Sequence, residues 1–147
     1  MELRLAIPRD VAAITELVER AYLGYVDQIG RRPAPMDDDH ADKVRRGQVV
    51  VADRGGIVGV LVLVVQPDHV FIENLAVDPR LQGNGVGRAL IAHAEAEARA
   101  HRVAELRLYT NVVMTGSLAF YARLGFREDG RRFDHGFQRV FLSKRVE

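Results

Sequence analysis

The stretch Glu73-Asn74-Leu75-Ala76-Val77-Asp78-Pro79-Arg80-Leu81-Gln82-Gly83-Asn84-Gly85-Val86-Gly87-Arg88-Ala89-Leu90 decides the fold. Its first five residues complete an apolar run from Val70 that reads as a strand, and Asp78-Pro79 ends it. From Val86 to about His101, Val86, Leu90, Ala94 and Ala98 recur at helical spacing, flanked by Ile91. Arg88, Glu95, Arg99 and Arg102 fall on the opposite face. Between strand and helix lies the turn Gln82-Gly83-Asn84-Gly85-Val86-Gly87-Arg88. Glycines let a backbone approach a ligand closely. The unpaired N–H groups of a helix's first turn, with the helix dipole, then suit an anion such as a pyrophosphate. Two familiar glycine motifs fail here. A P-loop needs Gly-Lys-Ser/Thr, but Gly87 is followed by Arg88-Ala89; a dinucleotide fingerprint needs glycine at 88, where Arg stands. On these residues alone, a glycine-rich turn without a ligand stays open.

Working outward, Val49–Ala52, Ile57–Val65 and Val70–Val77 are β-rich runs joined by Asp53-Arg54-Gly55-Gly56 and Gln66-Pro67-Asp68. Short turns between such runs predict an antiparallel meander rather than a βαβ unit. At the start, Leu3, Leu5 and Ile7 alternate as on the half-buried face of a strand, and Pro8 suits a helix start. Val11, Ile14, Leu17, Val18, Ala21 and Tyr22 predict an amphipathic helix from Val11 to about Val26. A loop follows, with Gly30, Pro33, Pro35 and Asp37-Asp38-Asp39, and a short helix is expected over Asp39–Arg46. Downstream, Glu105–Thr110 alternates as a strand. Thr115–Leu124 is a short helix stopped by Gly125. Phe126–Arg132 and Phe137–Ser143 form a terminal hairpin. The order is β-α-α-β-β-β-α-β-α-β-β, an α/β fold with a mixed sheet and helices on its faces.

A chain of 147 residues is expected to form one domain, residues 1–147, with a substantial core. Lys and Arg total 21 against 20 Asp and Glu, a balance that argues against a dedicated nucleic-acid binder. Cysteine is absent, which excludes disulfides, thiolate metal sites and a Cys nucleophile. The apolar run Ile57–Val65 is too short to span a bilayer, and the N-terminus lacks a secretory apolar core. A cytoplasmic protein without membrane association is the expectation.

The stretch from Glu73 to Leu90 resembles the core motif of the GNAT superfamily of N-acetyltransferases, whose loop pattern Arg/Gln-x-x-Gly-x-Gly/Ala is filled by Gln82, Gly85 and Gly87. Ser117-Leu118-Ala119-Phe120-Tyr121-Ala122-Arg123-Leu124-Gly125-Phe126 resembles that family's "FY-x-x-LGF" helix and strand, in the expected order. The resemblance covers essentially the whole chain and implies a mostly antiparallel GNAT-like sheet with helices on both faces. It implies acetyl-CoA as co-substrate, its pyrophosphate on the amides of Gly83, Gly85, Val86, Gly87 and Arg88. Gln82 and Asn84 belong to the same loop. The pantetheine arm would lie along Leu75, Ala76 and Val77 like an added strand. The family commonly places an Asn just before the last helix; Met114 stands there, with Asn111 upstream and Ser117 a turn later. Strands of such sheets often pair between copies, so a homodimer is an open expectation.

Acyl transfer from a thioester to an amine needs a neutral amine, a donor for the oxyanion and a proton for the leaving thiolate. The resemblance places Tyr121 beside the sulfur as general acid; an unperturbed phenol titrates near 10. An aromatic packing residue is the other reading. Glu73 is a carboxylate in an apolar run, on the strand face of Phe71, Leu75 and Val77 by alternation. Burial there would suit it to a base's role, and pairing with an Arg is the equal alternative. The resemblance makes the Leu75 N–H the candidate oxyanion donor. Arg80 and Arg88 are candidates for CoA phosphates, with plain surface arginines as the alternative. His69 begins a strand at a turn, and His93 and His101 lie on the long helix without a metal-binding pattern. His40 follows the three aspartates, where a helix N-cap is the simplest reading. The acceptor is a small-molecule or peptide amine, and its specificity is expected in Tyr22–Arg46. A CoA-binding sensor module without turnover is the alternative function.

Overall fold

The computed structural model describes all residues, Met1–Glu147. A seven-stranded sheet runs in the order β1-β2-β3-β4-β5-β7-β6. Its strands are β1 (Glu2–Leu5), β2 (Val49–Asp53), β3 (Ile57–Val65), β4 (Val70–Val77), β5 (Glu105–Asn111), β6 (Arg127–Asp134) and β7 (Phe137–Arg145). Every pairing is antiparallel except β4 with β5. Five helices accompany it: α1 (Val11–Tyr22), α2 (Val26–Ile29), α3 (His40–Arg45), α4 (Val86–Ala100) and α5 (Thr115–Arg123). The expected mixed α/β sheet with helices on both faces is the observed one; α2 and several 3-10 turns are additions. The first helix ends at Tyr22, before Gly24, rather than at Val26.

Two cores sandwich the sheet. Ile14, Leu17, Val18 and Tyr22 of α1 pack with Val44 of α3 on Val49, Val51, Val60 and Val62. On the other face Val86, Leu90, Ile91, Ala94 and Ala98 of α4, with Tyr121 of α5, pack on Leu61, Ile72, Leu106 and Leu142. The expected stripe of α4 is therefore the buried one. Gly59 lets α4 seat closely on β3, since a Cβ there would lie 2.8 Å from Val86 Cγ1. Asp39 caps α3 as expected, accepting from Asp42 N–H at 3.0 Å.

The first strand departs from its pattern. Leu5 and Ile7 are exposed, and Ala6 is the residue buried in the α1-side core. Leu5 borders a surface groove to which α4 presents His93, Glu97 and His101 rather than apolar side chains. The strand also ends early. Asp10 accepts from the Ile7 N–H at 2.8 Å and opens a 3-10 turn over Pro8–Asp10 ahead of α1.

Candidate active site

Two features of β4 create a cleft. β4 and β5 pair only at Val70–Leu106 and Phe71–Arg107 and then diverge, so β4 lacks a strand partner on that edge from Ile72 to Val77. The register against β3 also slips between Val62 and Leu63, leaving Glu73 as the unpaired residue of a bulge between Ile72 and Asn74. A bulge re-aims side chains that simple alternation would place. Val70 and Ile72 belong to the α4-side core. Beyond the bulge, Leu75 and Val77 pack on that side, while Asn74 and Ala76 turn to α1. Glu73 thus points toward α3, where it pairs with Lys43, and does not share the face of Leu75 and Val77. Its partner is a lysine rather than an arginine, and it is half-buried rather than sealed.

The divergent strands open on both faces of the sheet. On the α1 side the cleft is lined by Tyr22, Tyr25, Pro33, Glu73, Tyr109 and Arg139, among others. On the α4 side it is lined by Gln82, Gly83, Gly87, Gly116, Phe120 and Arg123. Tyr25, Leu75, Val77, Gln82, Ser117 and Tyr121 line both openings and mark the passage between them.

The glycine-rich turn borders the α4-side opening. Gly83 and Gly85 have φ of +86° and +84°, a left-handed conformation that carries little cost only for glycine, and no atom lies near where their Cβ would stand. Within this turn Asn84 N–H bonds to Leu81 O at 3.2 Å, and Ala89 N–H bonds to Gly85 O at 3.0 Å. The N–H groups of Gly83, Gly85, Val86, Gly87 and Arg88 donate to no carbonyl. These are the five amides that the family resemblance implied, gathered at and just before the start of a 15-residue helix. Gly87 serves packing instead of backbone conformation: a Cβ there would lie 3.1 Å from Phe120 Cζ. Asp78 holds the start of the turn. Its buried carboxylate accepts from the Arg80 N–H at 3.0 Å and its guanidinium at 2.8 Å, which pulls its pKa down to about 2. Arg80 is thereby occupied, and Arg88 is exposed and unpaired. Arg123, which motif reading passed over, lines the opening without a carboxylate partner.

Tyr121 stands at the junction. Its ring is wedged edge-on between Phe120 and Phe126, with centroids at 5.2 and 5.3 Å. The hydroxyl has no hydrogen-bond partner in the chain and is not sealed from solvent. Burial pushes the phenol well above its ordinary pKa, so it is a proton-bearing donor across the neutral range. Met114 precedes α5 with its side chain in the core, and Asn111 spends its side-chain oxygen on Val113 N–H at 3.1 Å. Its Nδ2 has no partner, and the residue lines the cleft. Of the three aspartates, Asp37 pairs with Arg32 at 2.9 Å and Asp39 is the helix cap. Asp38 is half-buried close to Lys43 and Glu73, and burial raises its pKa. His69 bonds Asp68 at 2.7 Å away from the cleft, and His93 and His101 flank Glu97 on α4.

Two roles escaped sequence reading: a polar contact of Tyr22, legible only as part of the α1 stripe, and Arg139. Tyr22 donates to Asn74 Oδ1 at 2.8 Å and ties α1 to β4 beside the bulge. Arg139 is a buried arginine on β7 that lines the α1-side cleft. It lies two residues from both Phe137 and Phe141, a charge on an apolar strand face; the anomaly that marks Glu73 also marks it.

The family model for the acetyltransferase (GNAT) family matches residues 11–126. The [ribosomal protein bS18]-alanine N-acetyltransferase of Escherichia coli K12 is 39% identical over 61 residues, which are 42% of this chain and 41% of that protein. The chain thus matches about two-fifths of that relative's length. PaiA N-acetyltransferase from Thermoplasma acidophilum, solved in complex with coenzyme A, superposes with a TM-score of 0.80 at 16% identity, over 98% of both chains. YncA from Salmonella typhimurium, solved with its cofactor acetyl-CoA, superposes with a TM-score of 0.76 at 20% identity, over 100% of this chain and 94% of that one. No helix is long and apolar enough to cross a membrane. With its unpaired loop amides, its divergent β4 edge and the family match over residues 11–126, the chain belongs to the acetyltransferase (GNAT) family.

Proposed function

We propose that this protein is an acetyl-CoA-dependent N-acetyltransferase acting on a primary amine by direct attack. The observation that carries this reading is the passage at Tyr121, where an opening bordered by the turn that carries the five unpaired amides meets a second opening on the far face of the sheet. Two reactants can enter from opposite faces and meet at one point, which replaces a bimolecular search by positioning. Acetyl-CoA supplies the acyl thioester. The amides of Gly83, Gly85, Val86, Gly87 and Arg88 hold the pyrophosphate, with Gln82 and Asn84 beside them and Arg123 able to add a charge. Leu75, Ala76 and Val77 offer their free edge to the pantetheine arm, and Ser117 faces the same passage. The Leu75 N–H donates to the developing oxyanion.

Tyr121 donates its hydroxyl to the departing thiolate. Because burial holds the phenol's proton tightly, the hydroxyl acts first as a hydrogen-bond donor to sulfur rather than as a freely dissociating acid. Glu73 accepts the amine's proton, directly or through a water. What supports this role is its position at the bulge, lining the cleft that also holds Tyr121; to act, it must release Lys43, whose place an acceptor ammonium of the same chemical kind can take.

The test combines thermal melting with thiol release. At a hundredfold excess over Kd, acetyl-CoA should add about 2.7 kcal/mol, or roughly 5–11 °C in Tm. A primary amine should then release free CoA thiol steadily. Stabilisation without thiol release across an amine panel would make the protein a CoA-binding module. No stabilisation would remove the loop from the cofactor site.

A further inference from the structure

Arg139 is the least expected group in the acceptor cleft. Its side chain is 8% exposed, and a guanidinium so placed is costly unless its donors are used. They are only partly used. Nη1 donates to Asp134 Oδ2 at 3.0 Å, and the other two nitrogens have no partner and are not sealed from solvent. The plane is held by stacking, 4.0 Å from the Tyr109 ring centroid and 5.4 Å from that of Phe137. Held in this way, the guanidinium keeps an open edge in the cleft that also contains Glu73 and Tyr121. Arg31 stacks on Phe137 at 4.3 Å and has no carboxylate partner, which adds to the positive field at this end. The opposite wall carries Glu73 and, behind it, Asp38.

The cleft therefore carries a charge on each wall that its partner uses only in part: the Glu73 carboxylate, paired with Lys43, on the β4 side, and the Arg139 guanidinium, paired with Asp134 through one nitrogen, on the β7 side. We propose that Arg139 is the anion-binding residue of the acceptor site, and that the acceptor is an amine that also carries a carboxylate. This rests on the transferase reading above. The amine lies toward Glu73 and Tyr121, and the carboxylate takes the free edge of Arg139 in the geometry that a guanidinium fork favours. β7 is two strands from β4, about 10 Å at regular spacing and more here, because β4 and β5 have parted before Asn111, the partner of Arg139. The two charges of the acceptor are thus separated by several bonds. A free amino acid with a distant carboxylate and a peptide amine followed by an acidic residue share this chemistry.

The experiment measures thiol release with saturating acetyl-CoA for glycine, β-alanine and 4-aminobutyrate, each beside its primary amide. A peptide arm uses Ala-Asp and Ala-Asn with amidated C-termini. For the best-spaced acid, kcat/KM should exceed that of its amide by about 10- to 100-fold, as for hydrogen bonds to a charged group. The arm with the larger ratio identifies the source of the carboxylate. Arg139→Gln should bring the ratio close to unity through KM of the acids, with the acetyl-CoA melting shift kept. Arg139→Lys should recover only part of the ratio, because an ammonium lacks the fork. If Arg139→Gln fails to fold with Asp134 unpaired, the double variant with Asp134→Asn removes both charges and should show the same loss. Equal rates on acids and amides in the unaltered protein overturn the proposal. So does a folded Arg139→Gln variant that keeps the preference, or turnover of amides alone. A protein without an acetyl-CoA melting shift fails the transferase reading, and this inference with it.

Discussion

Replacing Tyr121 by Phe removes one oxygen from a ring wedged between Phe120 and Phe126. The hydroxyl has no hydrogen-bond partner within the chain, so its loss breaks no internal bond. Stability should therefore barely change, and Tm should stay within a few degrees of the parent. Catalysis should not escape so lightly. A hydrogen bond to a charged group contributes about 1.5–3 kcal/mol, which corresponds to roughly 10- to 150-fold in rate when the charge exists only in the transition state. The thiolate is such a charge, so kcat and kcat/KM should fall together while the acetyl-CoA Kd holds. Burial raises the phenol's pKa, so Tyr121 stays protonated through the assay range and contributes no alkaline limb to the parent's profile. The variant's pH profile should keep its shape at lower height. The assay is steady-state thiol release from pH 6 to 9, with acetyl-CoA binding measured by calorimetry. A near-parental rate refutes the donor role, and lost cofactor affinity reassigns Tyr121 to binding.

Glu73→Gln should lower kcat/KM for an amine by about 10²–10⁴, measured by the same thiol release; a normal rate leaves Glu73 as the partner of Lys43. Gly85→Ala should cost about 1–2 kcal/mol for its left-handed φ and abolish the acetyl-CoA melting shift, because the loop amides must reorient. Gly87→Ala, pressed on Phe120, should cost about 1–3 kcal/mol by overpacking yet keep the shift. Stability should decline at both extremes of pH. Asp78 has a depressed pKa, so its contribution is present above the unfolded carboxylate's pKa and lost as pH falls from about 4 to about 2. Tyr22 and Tyr121 have raised pKa values, so theirs is full below the unfolded phenol's pKa and lost as pH rises past about 10. Melting scans across pH, with Asp78→Asn flattening the acid side, check both signs.

The chain's local chemistry determined much of this protein by itself. The glycine-rich turn, the stripe of α4, the strand β4 and the helix before Gly125 each follow from residues close in sequence, because turn conformation and amphipathic period are local properties. That a helix start leaves its first N–H groups without partners was legible for the same reason, and the family resemblance added Gly83 to the amides at the start of α4. Tertiary structure decided the rest. Glu73 was visible as an anomaly, but its direction was not. The bulge depends on how β4 registers against β3, and it turns Glu73 to Lys43, 30 residues away along the chain. The cleft exists because β4 and β5 part after two residue pairs, a divergence that neither strand's own pattern encodes. Arg139 enters that cleft only because β7 lies beside β5 with β6 outside it. Pairing order and register are settled by contacts between distant segments, and those contacts place the groups that act on the acceptor.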